Sequence, residues 1–543
     1  MSLTDQIKIL VDNVAAITED SAQEQRTIIA DFLSSAENQT IRVYVTDTSG
    51  MGHQSNTVMI MYRLIQLGFN HNFEVVYAEG GAGNDTASKL ANLIPGYVPN
   101  GNNPVNVTIS TNPTVVASII PLTYFIANIT SYPIQNFGIT GGYDSKSTNL
   151  ADAPKAATVN PTKAATPGVN VNFFLKLQPY QWLQQNAIQR FGVDAANSIV
   201  LETVPALGAA TYSKKRGYFI NPPQKPTEAA FTGANAAKYA SYKAITEAAE
   251  STTKPINLLP VYGIGGSEPS GVTEASVNIL SQNVLFDLIT AVRYSQRFGS
   301  GNQQRGAIIV NIANIPDTAY DSLNVLLTGA APNLATVNEM VTQLPAIQGD
   351  LATNAVEVIS YSDPLLNEKI AIVNGTDGAN KILVVKMGGI PVSAFNYMYS
   401  LSKLPCVLEG KATANMVLNL NIPYLNILKD TKVVYPTLPL SAADCQQAKD
   451  CNAVSASFKV TPETMNTKME ENPFSLDPPS DGFKTTPAYI ISDYITKVYN
   501  TSGGADSLNT YFTNLQAFFQ NQQQDKLYLG LLYFISYKDS LTN

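Results

Sequence analysis

IRVYVTDTSGMGHQSNTVMIMYRLIQLG, residues 41–68, is the stretch from which the rest of the chain can be built outward. It opens with strand-like alternation: Ile41, Val43 and Val45 on one side, Arg42, Tyr44 and Thr46 on the other. Asp47-Thr48-Ser49-Gly50-Met51-Gly52-His53 follows, and its two glycines permit a tight turn and close approach to a ligand. Ser55, Asn56 or Thr57 can then cap a helix carrying Val58, Met59, Ile60, Met61, Leu64, Ile65 and Leu67. Phe73-Glu74-Val75-Val76-Tyr77 is the next strand, which completes a β–loop–α–β unit. Ligands of open α/β sheets sit at strand carboxyl ends beside helix N-termini. The loop holds His53, one of two histidines in the chain, and chemistry is expected there.

At 543 residues the chain exceeds one ordinary core, so at least two domains are expected. Charged residues are only 14%, and the net charge of −8 comes without a long basic run, which argues against a nucleic-acid partner. Ser213-Lys214-Lys215-Arg216 is the one compact basic patch, read as a solvated loop or as a contact for an anionic acceptor or lipid surface. Three cysteines make no disulfide framework; Cys445 and Cys451 could pair across a short loop, but a pair of reduced thiols is the expectation. Two histidines and no Cys-x-x-Cys exclude the common zinc constellations. The first twenty residues read as an amphipathic helix with early acids, not as a signal peptide. The longest apolar stretch, Thr114 to Ile129, is broken by Pro121 and too short to span a membrane. A soluble, cytoplasmic protein is the expectation, with export lacking a cleaved signal as the alternative.

The pattern predicts two N-terminal helices over 1–40, strands at 41–47 and 73–78, and a second glycine loop at 79–85 before a helix. Residues 105–110 and 115–128 read as strand or buried helix, and 143–170 as a long loop. Strand-like runs return at 171–176 and 198–204. After the helix 229–250 a new α/β cycle starts, with strands expected at 258–262, 307–312, 355–361, 381–386, 404–409 and 422–427. This gives an α/β class of two Rossmann-like domains, 1–250 and 257–500, facing a cleft. A helical tail, 505–543, is expected to pack back on the first domain.

Glycine loops follow predicted strands at 50–52, 80–83, 263–266 and 388–389. Thr46-Asp47-Thr48-Ser49-Gly50-Met51-Gly52-His53 resembles the glycine-rich loop opening the first domain of GT-B glycosyltransferases. The similarity is to the branch with the lipid-linked N-acetylglucosamine transferase of peptidoglycan synthesis and the diacylglycerol galactosyltransferases. Gly265-Gly266-Ser267-Glu268 is similar to the turn opening their donor-binding domain. Residues 404–425, LPCVLEGKATANMVLNLNIPYL, resemble their donor signature. The matches pace out about 380 residues in the family's order.

The resemblance implies transfer of a sugar from a nucleotide-sugar, foremost a UDP-sugar, to a hydroxyl of a glycan, lipid or protein. Donor-binding positions are then Gly265, Gly266, Ser267, Gly388, Gly389, Glu409, Gly410, Lys411, Ala412 and Thr413. The acceptor-side loop comprises Ser49, Gly50 and Gly52, with His53 or Asp47 as the base. A diphosphate calls for backbone N–H donors and helix N-termini, and Lys411 adds positive charge for the leaving group. Glu409 is a candidate for the ribose hydroxyls, although the family places that carboxylate nearer Asn415 or Met416. No Asp-x-Asp occurs, which suits metal-free, inverting chemistry with no cofactor beyond the donor itself. The rival readings are a UDP-sugar 2-epimerase and a non-catalytic nucleotide- or carbohydrate-binding or structural protein on the same fold.

Overall fold

The computed structural model describes residues 1–12, 17–47, 51–80, 85–99, 104–141, 170–177, 188–193, 199–203, 222–264, 274–312, 315–328, 356–374, 381–408, 411–426, 487–500, 508–521 and 525–542, with isolated positions at 447, 450, 451, 453, 454 and 523. Most of the expected long loop 143–170, the glycine positions 81–83, the basic patch 213–216 and Cys445 lie outside the described residues. Two compact units emerge: Met1–Ile220 with Ala517–Asn543, and Asn221–Gln516. The division thus comes earlier in the chain than the boundary read from the sequence, and the helix Tyr239–Glu250 goes with the second unit.

In the first unit, α1 (Leu3–Asp12) and α2 (Glu19–Ser34) precede β1 (Thr40–Val45), α3 (Gly52–Gln66), β2 (Asn72–Tyr77) and α4 (Thr86–Leu93). Then come β3 (Val105–Thr111), β4 (Thr114–Pro121), α5 (Leu122–Ala127), β5 (Gln135–Thr140), β6 (Val171–Lys176), β7 (Ile188–Val193) and β8 (Ile199–Thr203). They form one sheet of eight strands, ordered β3-β4-β2-β1-β5-β6-β7-β8. The strands from β4 to β6 run parallel, whereas β3, β7 and β8 join by antiparallel pairing. Only two residues separate β3 from β4, too few for a crossover, so a hairpin is forced there. The ambiguous apolar stretch resolves as strand then helix, changing at Pro121, whose fixed φ suits the N-cap of α5.

Both faces of β1 are covered, as in a central strand of a parallel sheet. Ile41, Val43 and Val45 pack with Ile60, Met61 and Leu64 of α3. Tyr44 packs on the other face with Val76, Ile120, Phe125 and Phe174. Arg42 shares that face and is fully buried. The first core is completed by α14 (Lys526–Thr542), which contributes Leu527, Leu529, Leu531, Leu532 and Phe534. Such a helix, apolar nearly all round, belongs in an interior.

In the second unit, α6 (Tyr239–Glu250) leads to β9 (Asn257–Val261), α7 (Glu274–Phe298), β10 (Ala307–Asn311) and α8 (Asp317–Thr328). Next are β11 (Val356–Ser360), α9 (Leu366–Asn374), β12 (Ile382–Lys386), α10 (Val392–Ser400), β13 (Cys406–Leu408), α11 (Lys411–Asn419) and β14 (Tyr424–Asn426). Two further helices, α12 (Pro487–Tyr499) and α13 (Asn509–Gln520), follow, and the division between units falls within α13. The sheet order is β11-β12-β10-β9-β13-β14, with every pairing parallel. Its strands are short apolar runs buried end to end, notably β9 and β10. Counted from its own first strand, each sheet begins with the same order, third-fourth-second-first-fifth-sixth. Cys406 and Cys451 are buried free thiols. Among the described residues no helix is long and apolar enough to cross a membrane.

Candidate functional site

In the first unit, β2 lies on one side of β1 and β5 on the other, so the winding reverses direction at β1. A reversal opens a crevice at the carboxyl ends of the two strands. Thr46 and exposed Asp47 continue from β1, while Thr48, Ser49 and Gly50 lie outside the described residues. The helix α3 begins earlier than the sequence suggests. Its N-cap is Met51, which makes no side-chain cap bond, and Gly52 and His53 are its first two residues. Ser55, Asn56 and Thr57 therefore do not cap α3; they belong to its first turns, and Asn56 and Thr57 are buried. His53 is consequently a helical residue with a fixed ring rather than a loop histidine.

That ring is held from β1: Nδ1 lies 3.0 Å from Thr46 Oγ1. Gln54 Nε2 donates to Thr46 O at 2.8 Å, and Thr57 Oγ1 donates to His53 O at 2.9 Å. From the β5 side, Gly141 N donates to Thr57 Oγ1 at 3.2 Å. A Cβ at Gly141 would lie 2.9 Å from Asn56 C and Thr57 N, so glycine is what lets β5 approach α3. Gly52 faces open space instead, where a Cβ would meet nothing within 4 Å. A hydroxyl can donate to Nδ1 or accept from it, so the contact orients the ring while leaving both tautomers open to it. Lys89 on α4 is within electrostatic reach of Asp47: burial lowers its pKa, and Asp47 and Asp85 oppose that shift.

The second unit reverses its winding at β9, between β10 and β13. Val261 pairs with Val407, and Tyr262 N donates to Val407 O at 3.0 Å. The segments leaving β9 and β13 therefore depart side by side from one rim. The first passes through Gly263, whose φ of +91° glycine tolerates, to Ile264. The second enters α11 at Lys411, with Ala412 and Thr413 half-buried in its first turn. Gly265, Gly266, Ser267, Glu409 and Gly410 lie outside the described residues. Tyr262 is braced edge-on by Phe395, ring centroids 5.3 Å apart, and Tyr399 Oη donates to Val407 O at 2.6 Å.

Gly388 and Gly389 occupy a different place. They follow β12, which is separated from β9 by β10, roughly 10 Å along the rim at the usual strand spacing. Gly388 has a φ of +64°, and its N–H donates to Asn311 O at 3.1 Å. Gly389 O accepts from Lys238 Nζ. Lys238, Thr46 and Gly141 are not evident as site residues from the sequence. A strand-like IQNFGIT before Gly141-Gly142 is the available signal for the last, weakened by Gln135, Asn136 and Gly138. Among the described residues no group of three or more His, Cys, Asp or Glu is arranged to hold a metal ion. No protein-family model and no curated protein matches the chain.

Proposed function

We propose that the protein is a GT-B-type glycosyltransferase that takes a nucleotide-sugar, foremost a UDP-sugar, and transfers the sugar to a hydroxyl acceptor without a metal. The observation that carries this reading is the adjacency of β9 and β13 at a winding reversal. It sends the glycine segment after Tyr262 and the start of α11 off the same rim, a setting suited to nucleotides. The nine-residue α11 offers its first-turn N–H groups to a diphosphate, and Lys411 belongs to that turn.

The acceptor oxygen attacks the anomeric carbon as the bond from that carbon to the diphosphate oxygen breaks. The bonding pair leaves with the diphosphate, and inversion follows from direct displacement. His53 takes the acceptor proton, with Thr46 orienting its ring; Asp47 is the second candidate base. Neutralising the leaving group by fixed dipoles and Lys411 requires no reorganisation during the step.

Incubation with radiolabelled UDP-glucose, UDP-galactose and UDP-N-acetylglucosamine should release UDP from at least one donor. His53→Ala should keep UDP affinity within about twofold while cutting turnover roughly 10²–10⁴-fold, the range for a lost general base. Absence of both UDP release and UDP binding in the wild-type protein would rule the reading out. Unchanged turnover in His53→Ala would transfer the base role to Asp47.

A further inference from the structure

One buried polar side chain beside His53 has no internal use. Asn56 of α3 is 2% exposed, and its Oδ1 makes no hydrogen bond among the described residues. Asn38, buried in the same unit, shows what a structural asparagine does: Nδ2 donates to Phe32 O at 2.7 Å, and Oδ1 accepts from Asn136 Nδ2 at 3.2 Å. The neighbours of Asn56 on α3 are matched too. Gln54 donates to Thr46 O, and Thr57 Oγ1 donates to His53 O and accepts from Gly141 N. A buried carboxamide oxygen left unmatched costs stability, so folding alone does not account for Asn56.

The surrounding backbone puts this side chain at the floor of the crevice where the winding reverses. A Cβ at Gly141, just past β5, would lie 2.9 Å from Asn56 C, so the start of α3 sits against the end of β5. Helical side chains lean back over the turn N-terminal to them, which for Asn56 is the turn of Gly52 and His53. Gly52 is exposed and a Cβ there would meet nothing within 4 Å, which leaves a way in from solvent. His53 is half-buried and oriented by Thr46. It precedes Asn56 by three helical residues, a spacing that sets Cβ atoms about 5–6 Å apart.

We propose that this crevice receives a carbohydrate, with Asn56 binding a hydroxyl beside the one that His53 holds. That the hydroxyl at His53 is the one that reacts rests on the transferase reading; the carbohydrate crevice does not. The unmatched oxygen calls for a donor, which an anion cannot supply. A hydroxyl donates and accepts, and so meets a carboxamide in either orientation of its amide. Two polar side chains at this separation suit two hydroxyls of one sugar ring. A serine side chain or a diacylglycerol brings a single hydroxyl and would leave Asn56 unmatched. The acceptor class is therefore a glycan.

The test is a titration of the full chain carrying ¹⁵N-labelled asparagine, followed by nuclear magnetic resonance. The Asn56 carboxamide pair is identified by its loss in Asn56→Leu. The probes are methyl glycosides of glucose, galactose, mannose and N-acetylglucosamine, with ethanol and N-acetylserinamide as single-hydroxyl controls. At least one glycoside should shift the Asn56 pair, and neither control should. Asn56→Leu should weaken that glycoside about tenfold, the scale of one hydrogen bond, and keep the thermal midpoint within about 2 °C, because no internal bond is lost. Gly52→Leu adds bulk in open space at a backbone conformation any residue adopts, and should weaken binding at least as much with Asn56 intact. No glycoside acting on the Asn56 pair, or equal binding in wild type and both variants, overturns the crevice. A fall of about 5 °C or more in Asn56→Leu would mean that the carboxamide holds internal structure, and would overturn it as well. Glycoside binding without UDP release from any UDP-sugar keeps the crevice and removes the transferase. UDP release with no glycoside at Asn56 does the reverse.

Discussion

Arg42 shows how a single residue can look peripheral in the sequence and be central in the fold. Its alternation with Ile41 and Val43 suggests an outward-facing position, yet the guanidinium is sealed under α5. Nε donates to Glu74 at 2.8 Å, Nη1 to Asn170 O at 2.7 Å and Nη2 to Pro133 O at 3.1 Å, with the Phe125 ring centroid 5.0 Å away. The charge therefore ties β1 and β2 to the segments that enter β5 and β6. Burial pulls the pKa of Arg42 down, and the Glu74 carboxylate opposes it. Glu74→Ala should cost about 3 kcal/mol or more, because it leaves a buried cation without its anion. Urea denaturation followed by circular dichroism measures this, and a loss below about 1 kcal/mol would place the pair in the weak, surface class. His53 belongs to the same scale. Its candidacy is readable because a rare residue sits in a glycine setting after a strand, but its placement is not. The hydrogen bond between Thr46 and His53, with the buried Asn56 and Thr57, shows a helix that starts before any side-chain cap.

Among the elements, α14 carries the clearest mechanical role. Asp525 accepts from Leu527 N at 2.8 Å and Tyr528 N at 3.0 Å, and so caps the helix. The same carboxylate, fully buried, takes Arg63 Nε of α3 at 3.0 Å. Asp525→Leu removes the cap and the counterion of a buried arginine together, and should cost about 4 kcal/mol. The readout is hydrogen exchange: amides of α3 and α14 should lose protection, whereas unchanged protection would mean that apolar packing alone holds α14.

A second element-level prediction concerns α6. Burial alone would raise the carboxyl pKa of Glu250, but Lys225 Nζ at 2.7 Å and Tyr397 Oη at 2.6 Å hold it below its ordinary value of 4.5. A lowered folded-state pKa gives stability that is present above the unfolded value and lost as pH falls through the folded one. Lys225→Met should therefore raise the Glu250 midpoint in a ¹³C carboxyl titration and move acid unfolding to higher pH. A midpoint that stays put would assign the shift to Tyr397 alone.

These elements also show what the sequence can and cannot reveal. The strands β1, β2, β9, β10 and β12 are legible because buried parallel strands are short apolar runs between helices. The strand β5 is not, since Gly138 interrupts it; a Cβ there would sit 2.9 Å from Phe174 Cδ2 and Val171 Cγ1, a constraint set by distant packing. Lys238 is illegible for the same reason, its partner Gly389 being 151 positions away.

For the whole molecule, the repeated strand order matters more than any single motif. Two α/β units, each winding outward in both directions from its first strand, each have a winding reversal, the place where ligands of such sheets bind. The function proposed above would put donor binding in the second unit and a base, His53, in the first. The most direct test is photo-crosslinking of the full chain with 5-azido-UDP-glucose, followed by peptide mapping. The account predicts label in peptides covering 257–270 or 404–420, competed away by unlabelled UDP. Label confined to other peptides, or label that UDP does not displace, would contradict it.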